Sequence, residues 1–316
     1  MEFGKVQYID NIDFTLPPDD PVTLRMWEQR SGVPKQPLRV RVGGTEWGRT
    51  SWLGRVYPKG TKSTNFLPFY AKQFSTVEGN TLYYGLQPPG TIERWASMTG
   101  DDFRFCPKFL ETISHKQQLV NVAADTAAFI ESVGHFGVRL GPAFLQLSEN
   151  FGPDRAAVLQ DYVRSLPGDF RVCVELRHPG WFGSAASPGL VRGFAPVIGD
   201  TFDLFRELGV GTVMTDVAGR RDVLHMRLTA PVAFIRFVSN GLHRLDYLRV
   251  DAWADRLSAW AARGLEEIYF FVHSPEEQTS PEMMAYVIGK FNEKLGAGLT
   301  VPNLANGGQA ETLSLF

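Results

Sequence analysis

Val172-Cys173-Val174-Glu175-Leu176-Arg177-His178 is an apolar run that becomes ionisable at its carboxyl end. Successive side chains of a strand point to opposite faces. Val172, Val174 and Leu176 therefore form one face, suited to lie under helices, while Cys173, Glu175 and Arg177 form the other. Burying such charges without partners costs about several kcal/mol each, so the second face must pair them, use them, or both. The same ending recurs in Val77-Glu78-Gly79-Asn80, Phe105-Cys106-Pro107-Lys108, Leu145-Gln146-Leu147, Val213-Met214-Thr215-Asp216, Phe234-Ile235-Arg236 and Phe270-Phe271-Val272-His273.

Around these runs the chain alternates short β-rich segments with longer amphipathic ones, the βα repeat of a parallel sheet. Strands are predicted at 38–43, 75–80, 103–109, 143–148, 170–177, 210–216, 232–238 and 267–273. Helical periods fall at Asn65–Gln73, Thr91–Met98, Gln117–Val133, Asp154–Ser165, Thr201–Leu208, Asp251–Arg263 and Pro281–Leu295. Trp253, Leu257, Trp260 and Ala261 make a core-facing stripe in one of them. Val217 to Pro231 lacks a helical period, so an irregular connection is expected between strands six and seven. No G-x-G-x-x-G loop follows a strand, and Gly43-Gly44-Thr45 is too short to count as one, which disfavours an open dinucleotide-binding sheet. The expected fold is α/β, a (β/α)8 TIM-type barrel with an N-terminal extension.

A length of 316 residues with 44% hydrophobic and 21% charged residues describes an ordinary globular protein. Residues 1–36, broken by Pro17-Pro18-Asp19-Asp20-Pro21 and Ser31-Gly32-Val33-Pro34, are read as an extension, 37–300 as the barrel and 301–316 as a flexible tail. A formal net charge of -2 gives no support to a general nucleic-acid or membrane-surface binder. No signal segment or membrane-length apolar run is present, so a cytoplasmic location and no membrane contact are expected. Cys106 and Cys173 lie in apolar strands and are read as buried thiols.

In barrels of this type catalytic groups sit at the carboxyl ends of the strands. The residues expected at that mouth are Glu78, Asn80, Lys108, Gln146, Glu175, Arg177, Asp216, Arg236 and His273. Glu78 and Glu175 are the candidate proton-transfer pair, their pKa values pushed apart by neighbours. Lys108 is a candidate proton carrier or imine-forming amine, and Asp216 completes the catalytic set. Arg177 and Arg236 would clamp a carboxylate or phosphate, with Asn80, His115, Gln146, His178, Trp181 and His273 as further substrate contacts. His135, His225 and His243 are read as surface or core residues. Trp47, Trp52, Tyr83, Tyr84, Trp181 and Phe182 fall on loops beside the mouth, either as stacking walls for a sugar or base or as caps of the barrel. No cofactor is expected. Glu78, Glu175, Asp216 and a histidine would suit a divalent metal, but no H-x-H or H-E-x-x-H spacing supports one.

Several motifs together resemble the YecE-like family, a domain of unknown function numbered seventy-two. They are Val42-Gly43-Gly44-Thr45-Glu46-Trp47, the stretch from Tyr70 through Glu78-Gly79-Asn80 to Tyr83, Phe103-Arg104-Phe105-Cys106-Pro107-Lys108 with Ile113-Ser114-His115, Gln146-Leu147, and Glu175-Leu176-Arg177-His178-Pro179-Gly180-Trp181. The resemblance runs from about Val40 to about Pro275 and implies a TIM-type barrel without implying a particular reaction. His273 and Ser274 stand where that family more often has asparagines.

The chain ends in Thr312-Leu313-Ser314-Leu315-Phe316, which resembles the short motif that engages bacterial sliding clamps, with threonine for the usual glutamine. Leu313, Leu315 and Phe316 are thus candidate clamp contacts, or they dock on the chain's own surface. The leading functional expectation is a metal-independent barrel enzyme doing acid/base chemistry on a small polar anionic substrate such as a sugar or sugar phosphate. The alternative is a non-catalytic ligand- or nucleic-acid-associated module recruited through the tail. A third is a glycoside hydrolase using Glu78 and Glu175.

Overall fold

The computed structural model describes residues 4–30, 36–182, 194–275 and 277–304. In chain order the elements are α1 (Pro21–Gln29), β1 (Arg39–Gly44), α2 (Phe66–Gln73), β2 (Thr76–Gly79), α3 (Thr81–Tyr84), α4 (Pro89–Ser97), β3 (Arg104–Pro107), α5 (Ala123–Gly134), β4 (Ala143–Gln146), α6 (Ala156–Ser165), β5 (Val172–Glu175), α7 (Ala195–Glu207), β6 (Gly211–Asp216), β7 (Val232–Val238), α8 (Arg244–Arg263), β8 (Glu267–His273) and α9 (Ser280–Leu295). All eight strands are parallel, in the order β3-β2-β1-β8-β7-β6-β5-β4. The two outer strands meet: Gly141 donates to the Phe105 carbonyl at 2.8 Å and Phe109 to that of Phe144 at 3.1 Å. The sheet is thereby a nearly closed (β/α)8 barrel, and the 217–231 connection carries only a short 3-10 turn at Arg221–Val223.

Parity divides each strand as the alternation requires. Outward side chains such as Val42, Val77, Leu145, Val174, Ile235 and Phe270 join the helix faces in one large core. Inward, Cys106, Phe144, Cys173, Val213, Phe234, Tyr269 and Phe271 form a separate apolar plug across the barrel axis. Both cysteines are buried and free. Residues of the N-terminal extension run over the outside: Thr23 donates to the Met226 carbonyl at 2.8 Å, Asp20 pairs with Arg227 at 2.8 Å, and Asp19 accepts from Arg256 at 2.9 Å and Trp260 at 3.0 Å. Among the described residues no helix is long and apolar enough to cross a membrane. Leu313, Leu315 and Phe316 lie outside the described residues.

One strand position has no room for a side chain. A Cβ on Gly43 would fall 1.9 Å from the Thr76 carbonyl oxygen, in the register where β1 meets β2. The Tyr70 hydroxyl clamps the same join, accepting from Gly44 N–H at 2.7 Å and donating to the Thr76 carbonyl at 3.0 Å. Backbone cannot yield as a side chain can, so Gly43→Ala is expected to destabilise by about 3 kcal/mol, the upper range of overpacking. A denaturant midpoint equal to that of the unsubstituted chain would show that the β1–β2 join adapts.

Candidate functional site

At the carboxyl end of the barrel the inward polar groups form one hydrogen-bonded chain. Lys108, just past β3, donates through Nζ to Gln146 Oε1 at 2.8 Å, and Gln146 Nε2 donates to Glu175 Oε2 at 2.8 Å. Arg236 on β7 donates through Nη1 to Glu175 Oε2 at 2.9 Å, and through Nε and Nη2 to the two oxygens of Glu78 at 2.9 and 2.8 Å. Glu78 also meets His273 Nε2 at 3.0 Å and the Asn80 amide at 3.0 Å. Glu175 further accepts from Arg177 Nε at 2.6 Å and from the Thr215 hydroxyl at 2.9 Å.

This layer is dry. Glu78, Glu175 and Arg236 are each only 1% exposed, whereas Lys108 and Arg177 reach 9% and 8%. Lys108 also lies under the Tyr83 ring, 3.9 Å from its centroid, and Tyr83 meets the His115 ring edge-on at 5.4 Å. His115 is carried on a π turn, Thr112–Lys116, with its Nδ1 2.8 Å from the Ser114 hydroxyl. Next to that turn Gln118, Leu119 and Asn121 hold positive φ angles of 47, 69 and 57°. Such backbone persists only where surrounding structure enforces it, and both features gather at functional sites.

Burial alone would raise the Glu78 carboxyl, but Arg236 and then His273 outweigh it and hold it well below the usual carboxylate range. Burial likewise opposes ionisation of Glu175, and Arg177 with Arg236 again prevails and lowers it. The expected divergence of these two pKa values is therefore corrected: both move down, because one guanidinium lies between the two carboxylates. Lys108 moves the other way from a salt-bridged lysine. Burial, with Arg236 next, lowers its ammonium to about 8. Burial, Lys108 and Arg177 lower His115 to about 4, so its ring is neutral near pH 7.

Asp216 is not part of this chain. The inward position on β6 belongs to Thr215, in step with Val213, and Asp216 faces outward between strand and helix. There it accepts from Arg249 at 2.9 Å and from the Trp253 indole at 2.8 Å, and it pairs with Arg221. His178 also stands apart, its Nδ1 accepting from Gly180 N–H at 3.0 Å in the turn after β5. Trp181 is buried against Phe202 and donates to the Phe151 carbonyl at 2.8 Å, so it supports the wall instead of facing the charges. Trp47 packs on Trp95 and Phe105, Trp52 stacks on Tyr70, and Phe182 stacks on His225; Tyr84 is exposed. Of the loop aromatics, Tyr83 covers Lys108. Thr215 was missed by weighing the charge of Asp216 above strict alternation, and alternation alone would have found it.

The donor set considered for a divalent cation does not fit. Asp216 is on the outer face, and the oxygens of Glu78 and Glu175 are taken by Arg236, Arg177, His273 and neutral donors. Among the described residues no group of three or more His, Cys, Asp or Glu could hold a metal ion.

The comparisons agree with this architecture. Crystal structures of DUF72 family proteins superpose on the chain: one from Enterococcus faecalis V583 with a TM-score of 0.57 at 18% identity, covering 82% of this chain and 98% of that one. Another, from Thermotoga maritima MSB8, gives a TM-score of 0.54 at 21% identity, covering 82% and 99%. At these identities the likeness speaks for the fold alone. The UPF0759 protein YecE of Escherichia coli K12 is 29% identical over 253 residues, covering 78% of this chain and 90% of that protein, and its O157:H7 counterpart matches equally. The family model described as "Protein of unknown function DUF72" matches residues 41–305. On that match, which takes in every strand from β2 to β8 and most of β1, the chain belongs to the DUF72 family.

Proposed function

We propose that the barrel is an enzyme of acid/base chemistry on a small polar anionic substrate of the sugar or sugar-phosphate class, with Lys108 as its proton carrier. The observation that carries this reading is the setting of the Lys108 amine. It is buried, its hydrogen-bond partner is the neutral Gln146 amide, it lies under an aromatic face, and its pKa is about 8. A lysine kept for stability is normally met by a carboxylate, whereas an amine near neutrality can both donate and accept a proton. Histidines aside, Arg236, Arg177 and Lys108 face Glu78 and Glu175, and three charges against two leave one positive charge to attract an anionic group.

In this reading Glu78 and Glu175 act as fixed counter-charges. Glycoside hydrolysis by this pair is disfavoured, since it needs one carboxyl kept protonated and both are held ionised. Arg177, at the more open edge of the layer, is the partner for the substrate anion.

The test is exchange of carbon-bound hydrogen in deuterium oxide, read by NMR over a panel of aldoses, ketoses and their phosphates. Exchange should rise through an apparent pKa near 8, as the Lys108 amine loses its proton. It should fall by about 10²-fold or more in Lys108→Met, the typical contribution of a proton-transfer group. No exchange with any member of the panel, or an unaffected variant, would remove the reading.

A further inference from the structure

A second charged cluster lies at the other end of the barrel, beyond the apolar plug. Arg39 and Arg41 on β1, Arg104 on β3 and Arg171 just before β5 share the inward parity of Tyr269, Cys106 and Cys173. Their inward carboxylate is Glu267 on β8. Its Oε1 accepts from Arg39 at 3.4 Å and Arg171 at 3.0 Å, and its Oε2 from the Tyr269 hydroxyl at 2.8 Å. Arg104 is turned to the carbonyls of Asp101 and Phe103, at 2.5 and 2.9 Å. Acids further out are matched or exposed: Glu266 pairs with Arg30, Asp101 with Arg139, and Asp102 is exposed.

Arg41 is different. It is 5% exposed, and its Nε and Nη1 are buried with no hydrogen-bond partner. The Tyr269 ring lies 5.5 Å from the guanidinium carbon, a contact that leaves the N–H donors unmet. Four guanidiniums against one carboxylate leave an excess of three positive charges. A buried guanidinium such as that of Arg41 is strongly disfavoured unless an opposite charge with acceptor oxygens meets it. Arg39 and Arg171 are about half exposed, with side-chain values of 58% and 46%, so the cluster is open to solvent on that side.

We propose that this amino-terminal end of the barrel is a phosphate-binding site, with Arg41 as its inner donor, Arg104 beside it, and Arg39 and Arg171 at the entrance. Tetrahedral oxyanions carry several acceptor oxygens and at least one full charge, which suits converging guanidinium donors. The source is either free phosphate or the phosphate of a small ester whose remainder lies outward past Arg39 and Arg171. The site is separate from the mouth, with the Phe144, Phe234 and Phe271 layer between the two clusters, so it does not rest on the proposed chemistry of Lys108.

The test is calorimetric titration and thermal unfolding of the full chain with inorganic phosphate and with glycerol 3-phosphate, at ionic strength held constant with chloride. Phosphate should bind and raise Tm by several degrees. Arg41→Met should lose this response, while the double variant Lys108→Met with Arg177→Met should keep it. Without phosphate, Arg41→Met should melt no lower than the parent chain, since an unpaired buried charge has been removed. If Arg41→Met fails to fold, Arg41→Lys, which keeps the charge but loses the planar donors, should bind phosphate at least about tenfold more weakly. Stronger binding of the ester than of free phosphate would assign the site to an ester, and the reverse to the free ion. Equal responses in Arg41→Met and the parent chain, loss confined to the mouth double variant, or no binding of either probe would overturn the proposal.

Discussion

Arg236→Met is expected to lower the stability of the barrel by about 3 to 5 kcal/mol, the range found when one partner of a buried ion pair is removed. The arginine gives three charge-assisted hydrogen bonds to two carboxylates that are themselves 1% exposed. After its loss Glu175 still has Arg177, Thr215 and Gln146, so it stays ionised. Glu78 keeps only His273 and Asn80 among its described partners, and it is the group that should take up a proton. The sign of the pH dependence follows. In the parent chain the folded pKa of Glu78 lies below its ordinary 4.5, so its contribution is present above that value and is lost as pH falls through the folded one. The deficit of the variant should therefore be widest near neutrality and shrink as pH falls, from the point where its Glu78 takes up a proton down to the lowered folded pKa of the parent. Guanidinium denaturation from pH 7 downward measures it, and the triple variant Glu78→Gln, Glu175→Gln, Arg236→Met should regain much of the loss. A deficit that does not vary with pH would mean that buried charge is not its origin.

The same residues mark how far the sequence could be read. All eight predicted strands exist, each within about two residues of its expected ends at most positions, because a barrel strand is apolar on the outside and its alternation is strict. Helix starts were less legible. The period beginning at Gln117 does not become helix until Ala123, since Gln118, Leu119 and Asn121 adopt positive φ, which no period reveals. Helix α8 begins at Arg244, seven positions before the expected Asp251, because His243 caps it, with Asp246 closing a capping box, and histidine is not a usual cap residue. At the mouth, parity identified Glu78, Lys108, Glu175, Arg236 and His273 as neighbours. It could not say that a single guanidinium would join the two glutamates, since Glu78 and Arg236 are 158 residues apart in sequence. That long-range contact decides the direction of both carboxyl pKa values. His178 and Trp181 were misplaced for a local reason: the chain leaves β5 in a tight turn at Pro179–Trp181, which swings both away from the axis.

Asp216→Asn is expected to be as damaging to stability as Arg236→Met while leaving the mouth alone. Asp216 is fully buried, and Arg249 meets it with Nη2 on Oδ1 at 2.9 Å, with Arg221 and Trp253 as further donors. Burial opposes its ionisation, but Arg249 and Arg221 prevail and lower its pKa. An asparagine would retain an acceptor for the indole and remove the charge that both guanidiniums share, an effect of about 3 to 5 kcal/mol. At roughly 2 to 4 °C per kcal/mol for a chain of this order of size, Tm should drop by about 10 °C. The loss should also loosen the N-terminal extension, because Arg221 donates to the Phe14 carbonyl at 3.2 Å and the Arg221 and Arg249 guanidiniums lie 5.2 and 4.7 Å from the Phe14 ring centre. Limited proteolysis should then cut first between residues 4 and 20. Thr215 keeps its hydroxyl on Glu175 one position away on the opposite face, so the alkaline titration of Lys108 should not move. If that titration shifts while Tm holds, Asp216 is electrically part of the mouth, and the division of β6 into a mouth-facing side and a structural side is wrong.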